Sequence, residues 1–194
     1  MKNRISFTIL SLFLLTSIAS CKMNTAEEAP EKEEITEVIT GEESMEEEAP
    51  ILLGVQKRSA LEASPYDTWF RDSYKEHTLD TATIASIKGD LATTDITLFM
   101  GTWCEDSQRE TPAFYKILDL AGIDASAVNL ITVSEDKDTP EGLEEGLYIT
   151  NVPTIILAKE GKELGRIVEY PLESLEKDLA KILSGQEYKH AYAE

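Results

Sequence analysis

Apolar and polar positions divide the chain into three stretches: an apolar run over residues 5–19, a glutamate-dominated stretch from 22 to 50, and a remainder in which apolar positions recur periodically. In that remainder, after a short apolar stretch at 51–55, Trp69, Phe70 and Tyr74 recur at helical spacing within 65–74, which predicts a helix with these rings in the core. A second helix is expected over 81–91, with Gly89-Asp90 near its end. Ile96-Thr97-Leu98-Phe99-Met100 reads as a buried strand, broken by Gly101-Thr102 just before Trp103-Cys104. Helical spacing then runs through Phe114, Ile117, Leu118 and Leu120 to a stop at Gly122, with Pro112 inside the helix and expected to kink it. Further on come a strand at 128–133, a polar stretch at 134–140 and a short helix around 142–148. Two more strands, 154–158 and 164–168, flank a turn at Glu160-Gly161-Lys162, and a closing helix carries Leu172, Leu175, Leu179 and Ile182 up to Gly185. Mixing strands and helices in this order predicts an α/β domain over 51–194, a central mixed sheet flanked by helices.

The first twenty residues change the setting of that domain. Lys2 and Arg4 precede the apolar run, and Ile18-Ala19-Ser20 leads into Cys21. The run is shorter than the roughly 20 residues a spanning helix needs, and it reads as a cleaved leader. The junction resembles a bacterial lipobox. It implies a lipoprotein signal peptide at 1–20 and a lipidated Cys21 anchoring the protein to a membrane of the cell envelope, facing the periplasm or the cell surface. From Lys22 to Pro50 eleven acidic residues stand against two lysines. Such a segment cannot bury enough apolar surface to offset its ordering entropy, so 21–50 is expected to be a disordered, self-repelling tether.

Charge and cysteine count then narrow the chemistry. The chain carries a net charge of −19, of which −12 falls within 51–194, so nucleic acid is not an expected partner. The sequence holds two cysteines, Cys21 and Cys104. With Cys21 lipidated, one thiol remains and no internal disulfide can form. His77 and His190 stand far apart without a partner cluster and read as surface residues, and no metal or cofactor is expected.

The order of elements, with Trp103-Cys104 at a strand-to-helix junction, Pro112 eight residues after the cysteine, and Val152-Pro153 opening a later strand, resembles the thioredoxin family over about residues 90–185. The resemblance implies a thioredoxin-like fold, a nucleophilic Cys104, a cis proline at Pro153, and substrate contacts from Trp103, Val152 and the exposed backbone beside Pro153. It departs at Ser107, where the family carries its second, resolving cysteine, and at Leu98, where many members bury an aspartate. Other thiol families fit less well: Gly101 stands where a peroxiredoxin has threonine, and Glu105-Asp106 where a monothiol glutaredoxin has Gly-Phe.

The residues themselves say what Cys104 can do. A helix N-terminus offers unsatisfied N–H groups that favour thiolate over thiol. Glu105 and Asp106 oppose this, with Arg109, at i+4 from Glu105, expected to offset part of their charge. Ser107 shares a helix face with Cys104 and can donate a hydrogen bond to it, but a hydroxyl cannot resolve a mixed disulfide. The expected function is therefore envelope thiol–disulfide exchange through a single cysteine, as isomerase or reductase, with protein thiols or disulfides as partners and an external resolving thiol. The alternative is a non-catalytic module that uses the same groove to bind an envelope protein.

Overall fold

The computed structural model describes residues 49–193. The expected signal peptide, Cys21 with its lipid, and all but the last two residues of the tether lie outside the described residues.

Strand β1 (Gly54–Gln56) is followed by a short α1 (Arg58–Leu61), α2 (Asp67–Glu76) and α3 (Thr81–Leu91). Next come β2 (Asp95–Met100), α4 (Glu105–Ala121), β3 (Val128–Thr132), the hairpin β4 (Thr154–Lys159) and β5 (Lys162–Val168), and α5 (Leu175–Leu183). The five strands form one sheet in the order β1-β3-β2-β4-β5. β2 runs parallel to β3 and antiparallel to β4, and β1 and β5 close the edges antiparallel. β2 is thus central, and its C-terminal end delivers Gly101 through Cys104 to the sheet's rim.

Side-chain alternation along the strands sends two sets of residues to two faces. Ile96, Leu98 and Met100 of β2, Leu130 of β3, and Ile155 and Leu157 of β4 join the larger core, which also takes Phe70, Ile84, Leu91, Phe114, Leu118 and Leu179 from the helices. Phe99, Ile131, Val133, Val152 and Ile156 form a second, smaller cluster. Among the described residues no helical side chain joins that smaller cluster. It is closed by Trp103, Cys104 and three residues of the β3–β4 connection, Leu143, Leu147 and Ile149.

That connection departs from expectation. A helix was predicted around 142–148, and the chain there forms consecutive tight turns, with Gly142 N–H bonded to Thr139 O, Glu145 N–H to Gly142 O and Leu147 N–H to Glu144 O. Gly142 and Gly146 sit at φ 68° and 76°, and Tyr148 at φ 54°, which breaks any right-handed helix every few residues. At the C-terminus, α5 begins three residues after Leu172, because Ser174 caps it by accepting from Lys177 N–H at 3.3 Å. Leu172 stays outside the helix and exposed. Pro112 lies inside α4 as expected.

Candidate functional site

The site grows from the β2–α4 junction. Cys104 is the N-cap residue of α4, with extended backbone, and its N–H closes a turn onto Gly101 O at 3.1 Å. Its thiol is half-buried and donates to the carbonyl of Val152 at 3.2 Å. Cys104 and the Val152-Pro153 pair, 48 residues apart in sequence, therefore meet at one point. The peptide bond between Val152 and Pro153 is cis.

Val152 and Pro153 are both buried, and the Pro153 carbonyl is taken by Glu169 N–H at 2.7 Å. The Val152 and Pro153 carbonyls are thus both taken in this chain, and Val152 belongs to the small cluster that the β3–β4 connection closes. Arg166 fastens that connection by donating to Leu147 O at 2.7 Å.

Trp103 is half-buried and fixed twice. Its indole N–H donates to Val133 O at 3.1 Å, and its ring lies so close to Gly101 that a Cβ there would fall 2.5 Å from Cε2. Lys137 sets its ammonium over the same ring, 5.5 Å from the centroid. Ser107 is fully buried, and its oxygen accepts from Gly101 N–H at 3.2 Å. Among the described residues no hydrogen bond links Ser107 to Cys104, so Ser107 holds the turn that presents the thiol. Gln108 does the same from its side chain, donating to Thr102 O at 2.7 Å.

Arg109 does not pair with Glu105. It bridges Asp106, at i+3, and Glu110, its neighbour, the latter at 2.8 Å. Partial burial works against its charge, but these two carboxylates outweigh it and hold the guanidinium above its usual value. Glu105 is left exposed at the helix start. Leu98, at the position where many thioredoxins bury an aspartate, is wholly enclosed in the larger core.

Four features lie beyond what the sequence signals directly: Gly101 as the seat of Trp103, the capture of the Val152 and Pro153 carbonyls, Lys137 over the indole, and a contact of half-buried His77 with a buried carboxylate away from the site. In the last, His77 Nε2 lies 2.9 Å from Glu176, so His77 is no bare surface residue. The Gly-x-Trp spacing was the one sequence signal for the first; the others depend on contacts between distant segments. Among the described residues no group of three or more His, Cys, Asp or Glu is arranged to hold a metal ion.

No family model matches the chain, and no curated protein matches it. Among solved structures, a crystal structure of a protein of unknown function from Pseudomonas aeruginosa aligns over 68% of this chain and 83% of its own, at 20% identity and a TM-score of 0.45. Mitochondrial thioredoxin 3 from Saccharomyces cerevisiae, in its oxidized form, aligns over 50% of this chain and 86% of its own, at 24% identity and a TM-score of 0.30. Both likenesses are too distant to carry chemistry from one chain to another. The mixed sheet and its flanking helices are compatible with a thioredoxin-like fold.

Proposed function

We propose that the protein is a thioredoxin-type thiol–disulfide exchange protein that works through one cysteine in the cell envelope, tethered there by a lipid on Cys21. The observation that carries this reading is the meeting of the Cys104 thiol, at the N-terminal end of α4, with the Val152 carbonyl at 3.2 Å. Cys104 stands at the N-terminus of α4, whose first turn no N-cap side chain closes. The S–H···O bond exists only while sulfur keeps its proton. Ionisation therefore frees the Val152 carbonyl to accept an N–H from a substrate chain.

The Cys104 thiolate attacks one sulfur of a substrate disulfide. That S–S bond breaks, a Cys104–substrate disulfide forms, and the other substrate sulfur leaves as a thiolate. Ser107 cannot resolve the intermediate. A second substrate thiol resolves it in isomerisation; in net reduction an external dithiol resolves it, freeing the substrate thiol and Cys104 as the dithiol itself becomes a disulfide. Trp103, Val152 and Pro153 form the wall along which the substrate segment lies once the β3–β4 connection moves aside.

That connection supports a second reading. Burial of Val152 and Pro153 at its end favours a binding module whose thiol is silent. The full chain carrying Cys21→Ser, purified in detergent so that Cys104 is its sole thiol, separates the two. The exchange reading expects a mixed disulfide with the neutral probe 2-hydroxyethyl disulfide on the folded protein, released by added thiol and lost in Cys104→Ser. An adduct that forms only after unfolding refutes exchange and leaves the binding module.

A further inference from the structure

We propose that the exchange site selects disulfides flanked by positive charge, and that the face of Trp103 is its cation seat, filled in the free protein by Lys137. This deepens the exchange reading and rests on it.

Trp103 stands beside the reactive sulfur in sequence and is fixed by Val133 O and by Gly101. The Lys137 ammonium lies 5.5 Å from its ring centroid, within the range of an attractive cation–π contact. Lys137 reaches that place from a left-handed turn, φ 65°, closed by its own N–H on Ser134 O at 3.0 Å and by Ser134 N–H on Asp138 O at 3.0 Å. The ring next to the thiol thus already carries an alkylammonium, delivered by a short loop rather than by a packed element.

The loop that delivers Lys137 carries charge that favours such a cation and rejects an anion. Residues 134–148 hold Glu135, Asp136, Asp138, Glu141, Glu144 and Glu145 against Lys137 alone, and Glu105 opens α4. Among the described residues none of these seven acids is in an ion pair. Arg109, the nearest base along the chain, is held by Asp106 and Glu110. A lysine or arginine beside a substrate cystine meets uncompensated negative charge and, on displacing Lys137, an aromatic face. A carboxylate in its place meets repulsion. The substrate class is therefore polypeptide with basic residues next to its disulfide. The step is the exchange written above, with no further oxidant or reductant.

The test uses three small disulfides of similar size: cystamine, a dication; 2-hydroxyethyl disulfide, neutral; and 3,3′-dithiodipropionate, a dianion. Rates of mixed-disulfide formation on the full chain with Cys21→Ser are each divided by the rate with the neutral thiol 2-mercaptoethanol, which removes intrinsic reactivity. The expected order is cation over neutral over anion, with a spread of about tenfold or more at low salt that shrinks at high salt. Glu135→Gln with Asp136→Asn narrows the spread. Asp95→Asn with Glu160→Gln makes the same change of charge at the far end of β2 and β4, where Asp95 pairs with Ala158, and leaves the spread intact. Trp103→Leu, with folding checked by thermal melt, lowers the cystamine rate more than the neutral one.

Adducts that form equally fast with all three probes overturn the charge selection and leave exchange standing. The same follows if the far pair of substitutions narrows the spread as much as the near pair. A folded Trp103→Leu variant with its cation preference intact overturns the seat. Failure of every probe to react with the folded chain overturns the exchange reading itself.

Discussion

Gly101→Ala tests how the site is built, because its outcome turns on one ring. The Cβ it adds would lie 2.5, 2.6 and 2.9 Å from Cε2, Nε1 and Cζ2 of Trp103, whereas comfortable carbon contacts are about 3.5–4.0 Å. The indole has to move by about 1 Å, and its N–H then leaves Val133 O, now at 3.1 Å. Overpacking of this kind costs about 1–3 kcal/mol and the lost hydrogen bond about 1 kcal/mol. Against that, alanine gains about 0.4–1 kcal/mol by restricting the unfolded chain, since Gly101 is not in the left-handed region. The expected net loss is about 1–3 kcal/mol. Urea unfolding followed by circular dichroism measures it, on the full chain with Cys21→Ser. The same substitution in a Trp103→Leu background should cost little, so the double-mutant cycle should show coupling of about 1 kcal/mol or more. Equal stability of Gly101→Ala and the parent, or a cost that persists undiminished without the indole, would refute the reasoning.

Two further predictions concern groups away from the thiol. Tyr115 is fully buried and its hydroxyl has no hydrogen-bond partner, so Tyr115→Phe should stabilise the fold by about 1 kcal/mol in the same unfolding experiment, and a clear loss would show that the hydroxyl is needed. Glu176 is buried, which pushes its carboxyl up, but bonds from its own backbone, from His77 at 2.9 Å and from Asp80 N–H at 3.2 Å outweigh burial and hold it below the ordinary glutamate value. A carboxyl lowered on folding contributes stability that is present above its unfolded value and lost as pH falls through the folded one. The advantage in melting temperature of the parent over Glu176→Gln should therefore shrink as pH falls from about 5 to about 3, and parallel curves would contradict this.

What could be read from the sequence was what local spacing records. The α3 helix (Thr81–Leu91) falls where its apolar positions put it, and β2 and the helix from Glu105 to the Gly122 stop follow from an apolar run, a Gly-Thr break and a 3.6-residue period. In the β3–β4 connection Leu143 and Leu147 stand four apart, as on one helix face, yet with Ile149 their burial is set by the second face of the sheet. Gly142, Gly146 and Tyr148 in left-handed backbone were the contrary signal. Arg109 does offset charge at the start of α4, through Asp106 instead of Glu105. Spacing alone allows i+4 to Glu105, but Asp106 and Glu110 lie within its reach too, and together they hold the guanidinium more fully. The role of Ser107 toward Gly101, and the contact of Cys104 with Val152 across 48 residues, depend on tertiary placement that no local window contains.

The β3–β4 connection ties stability to the chemistry of the site. Where a packed helix would complete the second core with one apolar stripe, this chain uses three separated side chains, Leu143, Leu147 and Ile149, on a run of turns. Turns need polar and small residues between the apolar ones, and here Glu144, Glu145 and Gly146 separate Leu143 from Leu147. Glu144 also holds the loop's shape, accepting from the Thr139 backbone and hydroxyl at 3.0 and 2.8 Å. The segment that closes the core is therefore continuous with the acidic loop that carries Lys137 to Trp103, and it packs against the cluster that holds Val152. Substrate access, charge selection and burial of Phe99 and Ile131 cannot be changed independently. Loosening the loop, for example by removing the Arg166 bond to Leu147 O, should raise exposure of the thiol and lower stability together. A helix in the same place would have separated those effects.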